Sequence, residues 1–580
     1  MGAEKMMGEA WIYWSDTVVL YSTMCFGLLA ILGAMAVWPA IIRKTSWHGA
    51  ALYIFTLCGF IFAARWPGLF YFTSFNVDEA QILAAAQALM IDPIYFRGAE
   101  SGSSGPMVVY PLLASLLLGQ EPSYFSTRIV GLVMLAGTAT AFYGICRLVV
   151  IESIARVAAL APVTLLALTN YWDFVHYTSE HAPVFYLFAG FYFAAYIAFS
   201  DVLSWRRLIA SGVLGAIFFS IVPFAKLQGT YLALFGGLLL VAAVFLRGGF
   251  SFRQRLLAAG ITMAASVVLP AVLALTFAVG GVFDYFLNSY LGNALAYQAS
   301  GLSDVNSWQL LGKLLAKSSD ATTYAVGWVV FLLLATASLL TPSAFRLRKQ
   351  EVTFLAVSFL LLALAMSAVL TTQRDYGHYL IFLPFFAALL PCGLAGALVQ
   401  RARRLRTSKR DAANYELTCA GLMVLITILP VAGLRMEQPN GWAGNGRAWA
   451  KTASKPHTPV GNAIANVGHN SNRRLTVWGY APEYHVETGF RQATRLSTSS
   501  AIFNDNHLRE FFLNTYLDDL KKNQPGIFVD AITEGSFFMN DPATQAHENI
   551  PEIAAYVAEN YELARDIRGV RIYRRTTNPQ

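Results

Sequence analysis

The stretch FNVDEAQIL, Phe75 to Leu83, sets two carboxylates, Asp78 and Glu79, directly behind an apolar segment of membrane-spanning length. Elsewhere the chain keeps its charges sparse: of 580 residues, 56% are hydrophobic, 14% aromatic and only 13% charged. An ordinary soluble chain is about a quarter charged. Apolar runs of roughly 20 residues recur along most of the length, as a hydrocarbon core of about 30 Å requires of a spanning helix. The composition specifies a polytopic α-helical membrane protein, and an acid pair in it calls for a reason.

Twelve spans are expected: 17–42, 48–66, 126–148, 153–170, 181–201, 206–223, 229–246, 256–280, 322–341, 352–370, 378–399 and 415–434. Alternate loops carry the Lys and Arg. One set holds Arg43 and Lys44; Arg147 and Arg156; Arg206 and Arg207; Arg247, Arg253 and Arg255; Arg346, Arg348 and Lys349; and a cluster from Arg401 to Arg410. The other holds only Arg97, Lys226, Lys313, Lys317 and Arg374. The positive-inside bias puts the first set in the cytoplasm. Both termini then lie outside, with the acid pair. The net charge of +8 therefore reads as topology signal, not as a nucleic-acid footprint. The five cysteines all fall in or beside apolar runs, so no disulfide framework is implied for the polar tail.

The outside face holds a long segment, 67–125. Within it AQILAAAQALM and GPMVVYPLLASLLLG are too short to span and read as interfacial or re-entrant pieces. A second outside loop, 281–321, is long and aromatic. Residues 1–434 form a transmembrane domain. Residues 435–580 form a small α/β extracytoplasmic domain, with strand-like LTVWGY, GIFVDAI and VRIYRR and helical stretches near 507–522 and 551–561.

Several residues offer chemistry. Asn76 caps a helix whose first turn holds Asp78 and Glu79, a favoured place for acids; such a start also holds a general base firmly. Lys226 and Arg374 sit at outer span ends, where a cation either snorkels or binds an anion such as phosphate. His378 and Tyr379 adjoin Arg374. YWDFVHYTSEH, Tyr171 to His181, gathers Asp173, His176, Glu180 and His181. That set is capable of binding a divalent metal but matches no metal signature, and a substrate-lining loop fits it at least as well. P-loop, dinucleotide and Ser-hydrolase motifs are missing, which argues against ATP-driven transport by this chain.

The order of these motifs resembles the GT-C superfamily of membrane glycosyltransferases, in particular its aminoarabinose transferase and protein O-mannosyltransferase branch. DEAQILAAAQALMIDPIYFRG resembles the first-loop acid motif and its helix. GPMVVYPLLASLLLGQEPSYFSTRIVG is similar to the next segment, with Arg128 opening a span. FAKLQGTYLAL, DYGHYLIFLPFFAALLP and TVWGYAPEYHVETGFRQATR resemble the family's Lys segment, its late span and its tail. The chain departs from many aminoarabinose transferases in having Ser104 and Gly105, not a Lys, just before Pro106.

The resemblance implies a GT-C-like fold of about twelve spans and a bacterial inner-membrane enzyme working on the periplasmic side. It implies inverting transfer from a polyprenyl-phosphate-linked sugar donor to a lipid, glycan or protein acceptor, without a cofactor. Asp78 would be the base and Glu79 its support. Lys226, Arg374, His378 and Tyr379 would hold the donor, with Asp173 and His176 in the substrate-lining loop. A lipid-linked glycan flippase and a polysaccharide ligase or polymerase remain alternatives. Charges at span ends, not at the membrane midplane, favour transfer over transport.

Overall fold

The computed structural model describes residues 18–42, 47–71, 73–169, 171–299, 301, 305–339, 347–405, 413–425, 427, 458–468, 471–504 and 506–576. Arg43, Lys44, Arg346, Arg406, Lys409, Arg410, both termini, and the end of the last expected span with the linker behind it lie outside the described residues.

The helices that build the membrane part are α1 (Val18–Ile42), α2 (Trp47–Leu69), α5 (Tyr124–Val149), α6 (Glu152–Leu168), α7 (His181–Phe199), α8 (Trp205–Ile221), α9 (Thr230–Leu246), α10 (Phe252–Val279), α12 (Ser319–Leu339), α13 (Lys349–Leu370) and α14 (Leu383–Leu405). Between them stand the shorter α3 (Val77–Leu89), α4 (Pro106–Leu118) and α11 (Ser307–Ala316). Among the described residues ten helices are long and apolar enough to cross a membrane, all of the first group except α6. Helices suit this setting because every backbone polar group inside the segment is satisfied within it.

One expectation is sharpened and another corrected. The expected span 153–170 is a 17-residue helix, α6, and every residue in it is buried. It runs through the bundle against α1, α2, α5 and α14 and does not face lipid. It links the basic loop at Arg147 to the cavity-lining residues Tyr171–Asp173 and crosses as a central, protein-covered helix. Its Glu152 is held by Arg147 and Arg156 at 2.7 and 2.8 Å, which places part of the cytoplasmic basic set in a buried ion network. AQILAAAQALM, expected as an interfacial piece, lies in α3, whose residues 79–89 are all buried. The tail packs over it, so its apolar sides meet protein. Helix α4 is nearer expectation, with Leu117 and Leu118 fully on the surface.

The tail carries a five-stranded sheet in the order β2-β1-β3-β5-β4. Strands β1 (Arg474–Trp478), β2 (Arg491–Gln492) and β3 (Ile527–Asp530) are parallel, and β5 (Val570–Arg575) pairs antiparallel with both β3 and β4 (Tyr561–Ile567). Helices α15 (Pro459–Val467), α16 (Glu483–Thr488), α17 (Arg509–Asn523) and α18 (Pro551–Asn560) cover it. From β1 the chain crosses to β2 on one side, then to β3 on the other. The direction of winding reverses at β1. Strand β2 and helix α16 dock on α3.

Candidate active site

A cavity of about 960 Å³ lies between the membrane helices and the tail. Five connections line it: the segment after α2, the α6–α7 and α8–α9 links, the α10–α12 segment and the α13–α14 link. These are the alternate, Lys- and Arg-poor loops, and they meet at one end of the bundle.

Helix α3 presents the acid pair. Asn76 caps it, its side chain accepting from the Asp78 amide at 3.1 Å. One residue apart in the first turn, the two carboxylates point to different surroundings. Asp78 lines the cavity. The Tyr480 hydroxyl lies 3.1 Å from Asp78 Oδ1 and 3.3 Å from Gln81 Oε1. Glu79 is wholly buried and off the cavity wall. Arg128 of α5 donates to it through Nε at 2.8 Å and Nη2 at 2.7 Å. Arg128 also donates to the carbonyls of Gly68, Tyr71 and Thr73 and lies 4.4 Å from the Phe75 ring centre. Glu79 thus fixes where α3 begins and does not itself reach the cavity.

The loop Tyr171–Glu180 supplies the facing acid. Asp173 accepts from Asn76 Nδ2 at 3.0 Å and from the Tyr171 hydroxyl at 2.9 Å. His176 Nε2 and His378 Nδ1 stand 3.7 and 3.9 Å from its Oδ1. Burial alone disfavours the ionised carboxylate, but the two imidazoles outweigh it and hold Asp173 well below the usual range. Burial likewise opposes a charge on His176, and Asp173 and Glu79 raise it above its ordinary value. His176 lies behind Asp173, whereas Asp173, His378 and Tyr379 line the cavity.

Lys226 enters from the α8–α9 link. It is buried, with its Nζ 5.0 Å from the Tyr379 ring centre. Its ammonium donates to Ser179 Oγ and Glu180 Oε1. An ammonium has three protons, so one remains for a ligand oxygen. Arg374 is half-buried and does not line the cavity, although its neighbours Asp375 to Tyr379 do. The cation on that wall is Lys317, 3.1 Å from Asp375 Oδ2. The expected pairing of Lys226 with Arg374 is therefore replaced by Lys226 with Lys317. Glu100, which no motif signalled, also lines the cavity. Tyr285 and Ser289 donate to its carboxylate at 2.8 and 2.6 Å, and its backbone bridges to Leu496 of the tail. Burial pushes its pKa up to about 7.

Among the described residues the acids and imidazoles close enough to share an ion are Asp530, His547 and Glu548, in the tail. Arg571 donates to both Asp530 and Glu548 there and occupies the position a cation would take.

No family model matches the sequence, and no curated protein matches it. Solved structures do. ArnT from Cupriavidus metallidurans bound to undecaprenyl phosphate superposes over 92% of this chain and 100% of its own, with a TM-score of 0.51 at 12% identity. An oligosaccharyltransferase from Archaeoglobus fulgidus covers 96% of this chain and 75% of its own, with a TM-score of 0.46 at 12% identity. This chain has the GT-C fold. That likeness is one of architecture, spanning both the helical part and the tail. In this GT-C fold the acid motif, the Lys segment and the late-span aromatics converge on one cavity.

One departure has a steric reason. A Cβ at Gly105 would lie 2.1 Å from the Phe224 carbonyl oxygen and 2.7 Å from the Tyr290 hydroxyl. Gly105 N donates to the Ala225 carbonyl at 2.8 Å, so the segment before Pro106 runs against the one carrying Lys226. No Lys fits at 105, and the lysine of this wall comes from 226.

Proposed function

We propose that this chain is a membrane glycosyltransferase that moves a sugar from a polyprenyl-phosphate carrier to a hydroxyl of an extracytoplasmic acceptor, with inversion at the anomeric carbon. The observation that carries the reading is the presence of Asp78 and Lys226 on the wall of one cavity at the basic-poor end of the bundle. A hydrophobic carrier chain can remain in the bilayer there while its head group enters. The undecaprenyl phosphate held by the similarly folded ArnT agrees with such a ligand.

In this reading Asp78 accepts the proton of the acceptor hydroxyl. The freed oxygen forms a bond to the anomeric carbon, and the bond from that carbon to the phosphate oxygen breaks. The electron pair leaves with the carrier phosphate. Lys226 and Lys317 offset its charge, a stabilisation that preorganised cations supply without rearrangement. Asp173 and His378 border the sugar position. The positive-inside bias supports an extracytoplasmic position for this end of the bundle, which in this reading is the periplasmic side of a bacterial inner membrane.

The test is mass spectrometry of lipid copurifying with the protein, followed by transfer assays with the identified carrier. A polyprenyl phosphate retained by the wild type supports the reading. Ordinary phospholipid alone, with no transfer from any polyprenyl-phosphate sugar, defeats it.

A further inference from the structure

The tail contributes to the cavity in a particular way. Each loop that leaves the carboxyl end of a parallel strand reaches it: Tyr480 after β1, Thr498 and Ser500 after β2, and Phe537 and Phe538 after β3. In open α/β sheets ligands bind outside these strand ends, at the point where the winding reverses. Here that point is β1, whose end is released by Gly479 at a φ of +119°.

Phe537 and Phe538 stand out on that rim. They are 50% and 57% exposed, although a water-facing phenylalanine pair has no stabilising role of its own. The Met539 amide donates to the Phe537 carbonyl at 2.7 Å, closing a three-residue turn around Phe538. Phe538 takes a φ of +63° there, a costly backbone state for a bulky residue. Ser536 braces the turn, donating to the Ala531 carbonyl at 2.7 Å and accepting from the Thr533 amide at 2.9 Å. Strain of this kind persists where the surroundings enforce it and clusters at functional sites. The two rings lie 5.8 and 5.9 Å from the Tyr480 ring, and the Tyr480 hydroxyl reaches Asp78.

We infer that Tyr480, Phe537 and Phe538 form an aromatic platform that stacks on the C–H face of a neutral sugar ring, placing the acceptor hydroxyl beside Asp78. This rests on the transferase reading and names its acceptor class: a glycan or glycolipid whose accepting residue is a sugar. The other groups on this rim fit that ligand. Gln81, Thr498 and Ser500 supply amide and hydroxyl partners for ring hydroxyls, and they carry no charge.

The full-length protein in lipid nanodiscs tests this. Saturation-transfer NMR is run with methyl α-mannopyranoside and methyl β-glucopyranoside as probes. The wild type is expected to saturate ring C–H protons of at least one probe. F537A/F538A is expected to weaken that binding about tenfold, the upper scale of one aromatic contact. D78N is expected to keep it. Retained transfer by D78N would defeat the base assignment and leave the platform standing. Absence of saturation in the wild type, or an unchanged signal in F537A/F538A, overturns the platform. Quenching of the added emission of F538W by brominated acyl chains would make the pair a membrane anchor and overturn it as well; no such quenching, with a response to glycoside, supports it.

Discussion

The Tyr480 hydroxyl and Asp78 Oδ1 meet at 3.1 Å across 402 positions of chain. The contact joins the tail to the first turn of α3 at the cavity wall, so the tail is part of the site and not an appendage. If Asp78 is the base, Asp78→Asn keeps the fold and lowers transfer by about 10²–10⁴, the range of one general base. Tyr480→Phe removes one hydrogen bond to a charged group, about 1.5–3 kcal/mol, and lowers kcat at least tenfold but less than D78N. Steady-state transfer assays order the two, and equal losses would give the Tyr480 hydroxyl a direct share in the proton transfer.

Glu79 acts through Arg128. Both partners are almost wholly buried, at 2.7 Å. Removing one leaves the other charged and unpaired inside the protein, a cost of about 3–5 kcal/mol. Glu79→Gln and Arg128→Met should each lower the melting temperature strongly, and the double variant E79Q/R128M should lose less than their sum. Additive losses in a thermal scan would show that the pair does not act as a unit.

Lys226 needs a paired test because Glu180 is buried beside it. Burial opposes ionisation of Glu180, and Lys226 overrides that and holds its pKa below the ordinary value. Lys226→Met alone therefore mixes a lost ligand contact with an uncompensated carboxylate. K226M/E180Q removes both charges and should fold, with donor KM raised and acceptor KM unchanged. E180Q alone keeps the cation and should retain donor response. An unaltered donor dependence in K226M/E180Q would remove Lys226 from the donor site.

Much of this site is legible in the sequence because it is local. Asn76, Asp78 and Glu79 form a capped helix start that any reader of FNVDEA can locate, and the span ends near Lys226 and Tyr379 follow from hydropathy. What is not legible depends on long-range docking. Residues 79–89 look interfacial because nothing in AQILAAAQALM announces that the tail covers it. Lys317 and Arg374 have the same charge at equivalent loop ends, and only the path of the 371–377 link decides which faces the cavity. Glu100 sits in a Ser- and Gly-rich turn and becomes a buried acid only through Tyr285, nearly two hundred residues on.

Glu100 makes the junction sensitive to pH. Its pKa rises from 4.5 to about 7 on burial. The folded form then keeps a proton that the unfolded chain releases, so stability falls as pH rises across that window. Its contribution is complete below about 4.5 and lost above about 7. The groups facing it are Tyr285, Ser289, Arg495 and Asp519. Thermal scans between pH 4.5 and 8 should show a wild-type slope that Glu100→Gln flattens. Identical slopes would mean that the carboxyl ionises freely in the folded protein.

The close approach at Gly105 ties the acid-bearing segment to the lysine. An added methyl there meets backbone at Phe224, which has no rotamer to yield, and the Tyr290 hydroxyl, which already donates to the Pro223 carbonyl at 2.8 Å. Relief requires the 222–226 link to shift, and Lys226 moves with it. Overpacking of this kind costs about 1–3 kcal/mol. Gly105→Ala should therefore lower the melting temperature and raise donor KM together, although residue 105 lines no part of the cavity. Ser103→Ala, at an exposed position two residues away, should leave stability unchanged. A G105A protein with wild-type stability and donor KM would show that the two segments are not mechanically coupled.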